Sequence, residues 1–518
     1  MRNKIIILLV GALCNLAFAP FHFFPAAIIS LSVFYFFLEE NDERKSTFWL
    51  GFFYGFGYFL AGIYWISISL LVDAEKFAWL IPFALTLIPA ALALYVALFA
   101  ISYKFFTKKF KLAQDCQKIL VFTLCWLGFE ILRSHLFTGF PWNLIGYSWM
   151  FSASFTQLAS IFGIYGLSAF AILACLLPVI FWKNFGVKKL SEVTCGDKIF
   201  ALSIILFLFS AFIFGQNYVD EKKIVSDPQT KLRLVQANIK QEMKWDGAQK
   251  YRNFLKHVEL TNSQSLDGVK AVIWSETSTP YVIDDNPDLL KNLSFAVPLE
   301  GSLITGGLRL DRRSGEDFDV WNSIFVINKT GVTAHYDKHH LVPFGEYVPL
   351  QKFLPFVEKI TGGASGFSRG DGAKTLLTNN FSFSPLLCYE VIFSNEVVDK
   401  NHRPDLLVNL TNDAWFGSSS GPYQHLDMAK MRAIEQGTAL VRVAGTGVTA
   451  FIDPFGRVVA EIKLNQEGIL DVDFIKNLTP TIYERFSYLP LILLTSAMFA
   501  FLSIPLLTRN DSRQNHTN

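Results

Sequence analysis

The sequence predicts an α-helical membrane bundle joined in one chain to an extramembrane α/β layered domain. Three observations lead there. Hydrophobic residues make up 51% of the 518 and charged residues only 17%, below the roughly 25% charged that soluble domains carry. Apolar runs long enough to span a bilayer crowd into the first 215 residues and recur once near the end. Between them lie residues 216–486, of mixed polarity, in which short β-branched runs recur with amphipathic stretches among them.

The membrane-length runs fall at about 4–19, 23–38, 47–71, 78–102, 119–137, 155–182, 199–215 and 487–507. They predict seven spans, a large domain and then one more span, about eight transmembrane helices in all. The first run imitates a secretion signal, because Arg2 and Lys4 precede it and Ala17-Phe18-Ala19 has the small-residue pattern of a cleavage site. Pro20 directly after that pattern disfavours cleavage and a second span follows at once, so the run is read as an uncleaved helix. Orientation follows from the basic residues. With a cytoplasmic N-terminus, fifteen Lys and Arg fall on inner segments, among them the cluster Lys104, Lys108, Lys109 and Lys111, against only Lys76 and Arg133 on short outer loops. This predicts a seven-helix domain over 1–215, an extracytoplasmic domain over 216–486, an eighth helix over 487–507 and a cytoplasmic tail over 508–518.

Within the outer domain, the runs Leu232–Ala237, Ala271–Trp274, Leu303–Gly306, Ser323–Ile327, Pro385–Cys388, Leu406–Leu410, Ala439–Val443 and Val448–Ile452 read as short central strands. Amphipathic stretches near 248–263 and 425–436 read as helices between them. Short strands with interspersed helices imply an α/β layered domain. The formal charge of +2 and the lack of a basic stripe with interleaved aromatics argue against a nucleic-acid partner.

The six cysteines are Cys14, Cys116, Cys125, Cys175, Cys195 and Cys388, and none forms a CxxC pair. Five lie in the hydrophobic half, and Cys388 stands alone in the polar half. A lone cysteine is ordinarily a small buried hydrophobe. In an oxidising space outside the cytoplasm an unpaired thiol is a liability, which favours a reactive role for this one. It ends the run Ser384-Pro385-Leu386-Leu387-Cys388, so a strand would present it at the sheet edge, with the next backbone N–H available to an oxyanion. Glu276 closes another strand, and Lys338 lies in a polar loop. Taken singly, a carboxylate at a strand end and a lysine in a polar loop are usually just solvated. His339-His340 has no further metal ligand at usable spacing, so no metal is expected.

In combination, Glu276, Lys338 and Cys388 resemble the triad of the nitrilase superfamily, in the same chain order. More closely, the chain resembles the apolipoprotein N-acyltransferase family, in which such a domain is inserted before the last membrane helix. The resemblance covers nearly the whole chain. It rests on Thr138-Gly139-Phe140-Pro141-Trp142-Asn143 and Phe162-Gly163-Ile164-Tyr165-Gly166-Leu167-Ser168 in the first half. In the second half it rests on Val235-Gln236-Ala237-Asn238-Ile239 with Trp245, Trp274-Ser275-Glu276, Trp321-Asn322-Ser323, Lys338 through Pro349, Cys388-Tyr389-Glu390 and Asn412-Asp413-Ala414-Trp415-Phe416-Gly417. Ser275 departs from a proline frequent in the family, which concerns only strand-end rigidity.

The resemblance implies a nitrilase-like α-β-β-α sandwich held on the periplasmic side of a bacterial inner membrane. It implies a cysteine thioester formed from a phospholipid acyl donor and resolved by the free amine of an apolipoprotein, without a cofactor and as a monomer. Glu276 would act as general base, because Lys338 lowers the thiol pKa while an ionised Glu276 raises it, leaving little thiolate at rest. Lys338 and the Tyr389 backbone N–H would stabilise the oxyanion. Glu346 would orient Lys338 or be an ordinary loop carboxylate, and Asn322 and Glu390 are further supporting candidates. Trp245 and Trp415 would line an acyl pocket or simply fill the core. The apolar run Leu350–Ile360 would be a membrane-touching lid or a buried connecting helix. Glu130 and Arg133, three apart in the fifth span, would pair within the bundle or meet a lipid head group. The main alternative activity is a membrane-anchored amidase, in which water resolves the thioester.

Overall fold

The computed structural model describes residues 2–183, 186–222, 224–244, 246–283, 286–312, 318–349 and 366–514. The described chain forms two compact units. The first comprises residues up to Tyr64, then Pro82–Glu221, then the segment from Thr481 onward. The second comprises Lys222–Pro480 together with Trp65–Ile81, a stretch of the predicted membrane half.

The first unit is built from helices α1 (Arg2–Leu13), α2 (Pro25–Glu39), α3 (Arg44–Ile63), α4 (Ile81–Lys109), α5 (Asp115–His135), α6 (Ala159–Leu176) and α7 (Cys195–Glu221). Each coincides with one of the predicted apolar runs. Five helical stretches, Arg44–Leu71, Ala74–Lys109, Asp115–Thr138, Ala159–Phe181 and Cys195–Glu221, are long and apolar enough to cross a membrane. Asn3–Ala17 and Pro25–Glu39 are apolar but shorter, and the last helix, Leu489–Gln514, opens with the apolar stretch Leu489–Leu502, so among the described residues five of the eight expected spans are met by length and composition. The expected run 155–182 is interrupted at Gly163, whose φ is +65°. A Cβ there would lie 2.3 Å from the Tyr483 ring, so both the backbone and the close ring require glycine. Arg133 donates to the carbonyls of Phe140 and Trp142, and Glu130 accepts from the Ile145 amide at 2.8 Å. Both ions therefore brace the loop that carries the Gly139-Phe140-Pro141-Trp142 motif.

The second unit holds two sheets face to face. One contains strands β1 (Ser226–Gln236), β2 (Val269–Trp274), β3 (Thr279–Val282), β4 (Ser302–Arg312), β5 (Phe318–Asn328) and β6 (Gly331–Asp337). The other contains β7 (Leu376–Leu377), β8 (Ser382–Leu387), β9 (Leu406–Thr411), β10 (Leu440–Ala444), β11 (Thr449–Ile452) and β12 (Val458–Ile462), and β13 (Gly468–Ile475) returns to the first sheet. The orders are β13-β1-β2-β4-β5-β6, with β3 beside β4, and β12-β11-β10-β9-β8-β7. Neighbours β1/β2, β2/β4, β8/β9 and β9/β10 are parallel.

Strand alternation sorts the apolar side chains into two cores. Leu232, Leu234, Ala271, Ile273 and Ile304 face Leu387, Val408, Leu410, Val441 and Phe451 of the other sheet. Val235, Val272, Trp274 and Leu303 point the opposite way, against Phe254 of helix α8 (Lys250–Thr261). Helix α9 (Gly421–Gln436) packs on the second sheet along β10. Both faces of each sheet are thus covered, which is why the central strands read as continuous apolar runs. The layer order is α-β-β-α, as expected. Sequence patterning passed over β3, β6, β7, β12 and β13, which are short, edge-lying or partly exposed.

Candidate active site

Parallel strands present the residues after their C-terminal ends along one rim of a sheet, and the candidate residues follow such ends. Glu276 lies two residues beyond β2, in a turn whose Thr277 has φ +47°. The turn passes so close to β4 that a Cβ at Gly306 would fall 2.4 Å from the Thr277 amide nitrogen. Lys338 is the residue after β6, not a solvated loop lysine. Its amide donates to Asn322 O at 2.9 Å and its carbonyl accepts from Gly370 N at 2.9 Å. The preceding Asp337 is gripped by Arg309 at 2.8 Å and by the Ser323 hydroxyl at 2.6 Å. Cys388 follows β8 and begins a short 3₁₀ turn with φ +49°. A non-glycine residue in this left-handed region costs roughly 1–3 kcal/mol and persists where surrounding contacts hold it.

These strand ends converge. Lys338 Nζ lies 2.9 Å from Glu346 Oε1 and 3.9 Å from Glu276 Oε1, and all three residues are buried. Asn322, on β5, donates to both carboxylates, at 2.8 Å to Glu276 and 3.2 Å to Glu346. Glu346 reaches this point because its own loop folds back, its Oε2 accepting from the Val342 amide at 2.8 Å. The Cys388 thiol lies within electrostatic reach of Glu276 and Lys338. Residues 62 and 50 positions apart in the chain are thus brought near one another in one buried cluster.

The electrostatics follow from burial. Burial pushes the Cys388 thiol up to about 12, Glu276 adds to the rise and Lys338 opposes it. Burial also raises Glu276, with Lys338 opposing and Glu346 reinforcing. Burial works against the charge on Lys338, but Glu346 and Glu276 outweigh it and hold the ammonium above the ordinary lysine range. The site therefore sets a thiol held well above its ordinary range beside a carboxyl of strengthened basicity and an ammonium held in its charged form. Such a set can move the thiol proton to a carboxylate as sulfur attacks and offer Lys338 to the oxyanion.

Glu390 is structural glue for the nucleophile turn. It accepts from the Leu387 amide at 2.7 Å, the Tyr336 hydroxyl at 2.8 Å and the His339 amide at 2.8 Å. Burial raises its pKa but His339 more than compensates, so it stays below the usual carboxylate range. Its contacts tie the Cys388 turn to the residues next to Lys338. His340 stacks on Phe393 at 3.6 Å between centroids and pairs with Glu396 at 2.8 Å. Tyr389 is buried, its ring edge-on to Phe393. Trp415 is half-buried in the turn Asp413–Phe416. Trp245 and the run Leu350–Ile360 lie outside the described residues.

Two features escaped the sequence reading. Lys244 is buried and donates from Nζ to the Glu276 carbonyl at 2.8 Å. Burial drops it to about 8, with Glu276 and Cys388 opposing. It borders a cavity of about 20 Å³ shared with Ser275, Thr277 and Asn412, room for about one water. Beneath the nucleophile, Asp413, His425, Arg442 and Asn409 form a fully buried polar cluster. Asp413 stands in a motif noted above, but its partners His425 and Arg442 are 12 and 29 residues away, and no spacing rule connects them.

The second unit has the fold of a carbon-nitrogen hydrolase, and residues 231–482 match the carbon-nitrogen hydrolase family. Residues 10–177 match the apolipoprotein N-acyltransferase N-terminal domain. A Rickettsia prowazekii protein named apolipoprotein N-acyltransferase is 37% identical over 503 residues, covering 95% of this chain and 96% of its own. A Rhodopseudomonas palustris protein of the same name is 36% identical over 513 residues, covering 94% and 92%. The chain belongs to the apolipoprotein N-acyltransferase family and is a membrane acyltransferase.

Proposed function

We propose that the protein moves an acyl chain from a membrane phospholipid onto Cys388, then to the free α-amino group of the diacylglyceryl-cysteine of an apolipoprotein. One observation carries the reading: a cysteine held in a left-handed elbow within reach of a buried Glu276–Lys338–Glu346 cluster. Glu276 takes the thiol proton as Cys388 attacks the ester carbonyl, and Lys338 with the Tyr389 N–H stabilises the oxyanion. The glycerophospholipid alcohol leaves with a proton returned from Glu276. The acceptor amine then attacks the thioester, its surplus proton passes to Glu276, and the thiolate departs and is reprotonated. Ping-pong order follows from the covalent intermediate. Glu346, Asn322 and Glu390 position the triad, and Trp245 and Trp415 are proposed to line the acyl pocket.

The same reading puts the enzyme in the inner membrane with about eight crossings, residues 216–486 on the periplasmic side and both termini in the cytoplasm, supported by the fifteen-to-two bias of basic residues. The test is purified full-length protein supplied with labelled phospholipid and a diacylated lipopeptide. The expected results are N-acylated peptide and a hydroxylamine-labile acyl adduct, both lost in Cys388→Ala while membrane insertion persists. Free fatty acid without N-acylated peptide would make the protein an amidase, and transfer by Cys388→Ala would end the thioester mechanism.

A further inference from the structure

The parallel pairing of β8 with β9 aligns Leu387 with Leu410, so the next residues, Cys388 and Thr411, are neighbours on adjacent strand ends. Thr411 is fully buried, and its hydroxyl lies within interaction reach of the Cys388 thiol. The same hydroxyl donates to Asp413 Oδ1 at 3.1 Å. Asp413 also binds Arg442 through Oδ2, and Arg442 reaches Asn409 Oδ1. His425 Nε2 lies 3.1 Å from the Cys388 carbonyl. Because that partner is only an acceptor, Nε2 carries a proton, and Nδ1 lies 3.0 Å from Asp413 Oδ1 and 3.1 Å from Arg442 Nη2. The cluster meets Cys388 at its carbonyl through His425 and comes beside its sulfur at Thr411, and Asp413 touches both His425 and Thr411.

We propose that Thr411 is a further catalytic residue, a rotating hydroxyl that hydrogen bonds to the Cys388 sulfur whenever it is a thiolate; this rests on Cys388 being the nucleophile. In the resting site the Thr411 hydrogen points to Asp413 and its oxygen faces the neutral thiol. When the S–H proton passes to Glu276, the hydroxyl turns and donates to the sulfur, and Asp413 retains Arg442. During resolution the C–S bond breaks, its electron pair goes to sulfur, and the hydroxyl again donates to it until Glu276 returns the proton. Thr411 itself exchanges no proton. The role falls to Thr411 because the other ionisable groups around the sulfur are Glu276, Lys244, Lys338 and Asp413: the carboxylates repel a thiolate, Lys244 is engaged by the Glu276 carbonyl, and Lys338 serves the oxyanion.

The test compares full-length Thr411→Val and Thr411→Ser with wild type. Iodoacetamide labelling of Cys388 at pH 9, followed by peptide mass spectrometry, reads the thiolate, and labelled phospholipid reads acyl-enzyme formation. Thr411→Val should slow both about tenfold, the scale of one hydrogen bond to a charged group. Thr411→Ser, which keeps the hydroxyl, should stay within about twofold of wild type. If Thr411→Val does not fold, Thr411→Ala carries the same comparison. Wild-type rates in the variant without a hydroxyl, or equal slowing in Thr411→Ser, would overturn the proposal. Acyl transfer by Cys388→Ala would instead overturn the nucleophile reading beneath it.

Discussion

Glu346→Gln removes the nearer counter-ion of Lys338 while keeping the side chain's shape. At an effective dielectric near 20, a carboxylate 2.9 Å from Nζ attracts it by about 6 kcal/mol and one at 3.9 Å by about 4 kcal/mol. Glu346 thus supplies the larger part of the attraction that sets Lys338 between the two carboxylates. Without it, Lys338 is drawn to Glu276, which weakens the base and takes the donor from the oxyanion. Misplacing one preorganised donor costs roughly 3–4 kcal/mol of barrier, so acyl-enzyme formation should fall by about 10² to 10³. The pH profile has a definite sign. Glu276 is raised by burial and further by Glu346, against Lys338. Removing Glu346's charge and bringing Lys338 closer both lower the Glu276 pKa, so the acid limb of kcat/KM should move to lower pH. Single-turnover acylation with labelled phospholipid between about pH 4 and pH 8 reads both effects. A rate within threefold of wild type, or an acid limb moving to higher pH, would refute the account of Glu346 as the positioning group.

Two further outcomes follow from the same geometry. Lys244 has a folded pKa of about 8 against an ordinary 10.5, so its burial penalty is carried in full below pH 8 and fades as pH rises from there toward 10.5. The drop is worth roughly 3 kcal/mol, and the carbonyl left without its donor costs about 2 kcal/mol. Lys244→Met should therefore raise the thermal midpoint slightly at pH 7 and lower it near pH 10, and a lowered midpoint at pH 7 would contradict the assignment. At Gly306, a Cβ would lie 2.4 Å from Thr277 N and 2.8 Å from Glu276 Cα, so Gly306→Ala must displace the base. An ångström of misplacement is worth about 10² in rate, so the hydroxylamine-labile adduct should form about a hundredfold more slowly in protein that still inserts; wild-type adduct formation would show that the turn tolerates the shift.

The apolar helices and most central strands were legible because burial imposes periodicity that survives in one dimension. The runs Leu232–Ala237 and Leu406–Leu410 are buried on both faces of a sheet, and composition alone marks them. Edge strands such as β12, with Val458 and Val459 exposed, face water on one side and leave no such trace. Eight apolar runs were equally plain, and among the described residues five of them form helical stretches long and apolar enough to cross a membrane. Among the site residues, Glu276 and Cys388 announced themselves by closing apolar runs. Lys338 read as a loop residue because the strand before it, Gly331–Asp337, is largely polar and partly exposed.

By itself, then, the sequence determined the two classes of structure, the isolated thiol and the order of glutamate, lysine and cysteine along the chain. Their convergence was decided only by tertiary structure, which brought Lys338 to 2.9 Å from Glu346 and Thr411 beside Cys388. The physical reason is that hydrophobic periodicity is a local property. Distances between strand ends depend on which strands pair, in what register and in which sheet, and the pKa values depend on the burial those pairings produce.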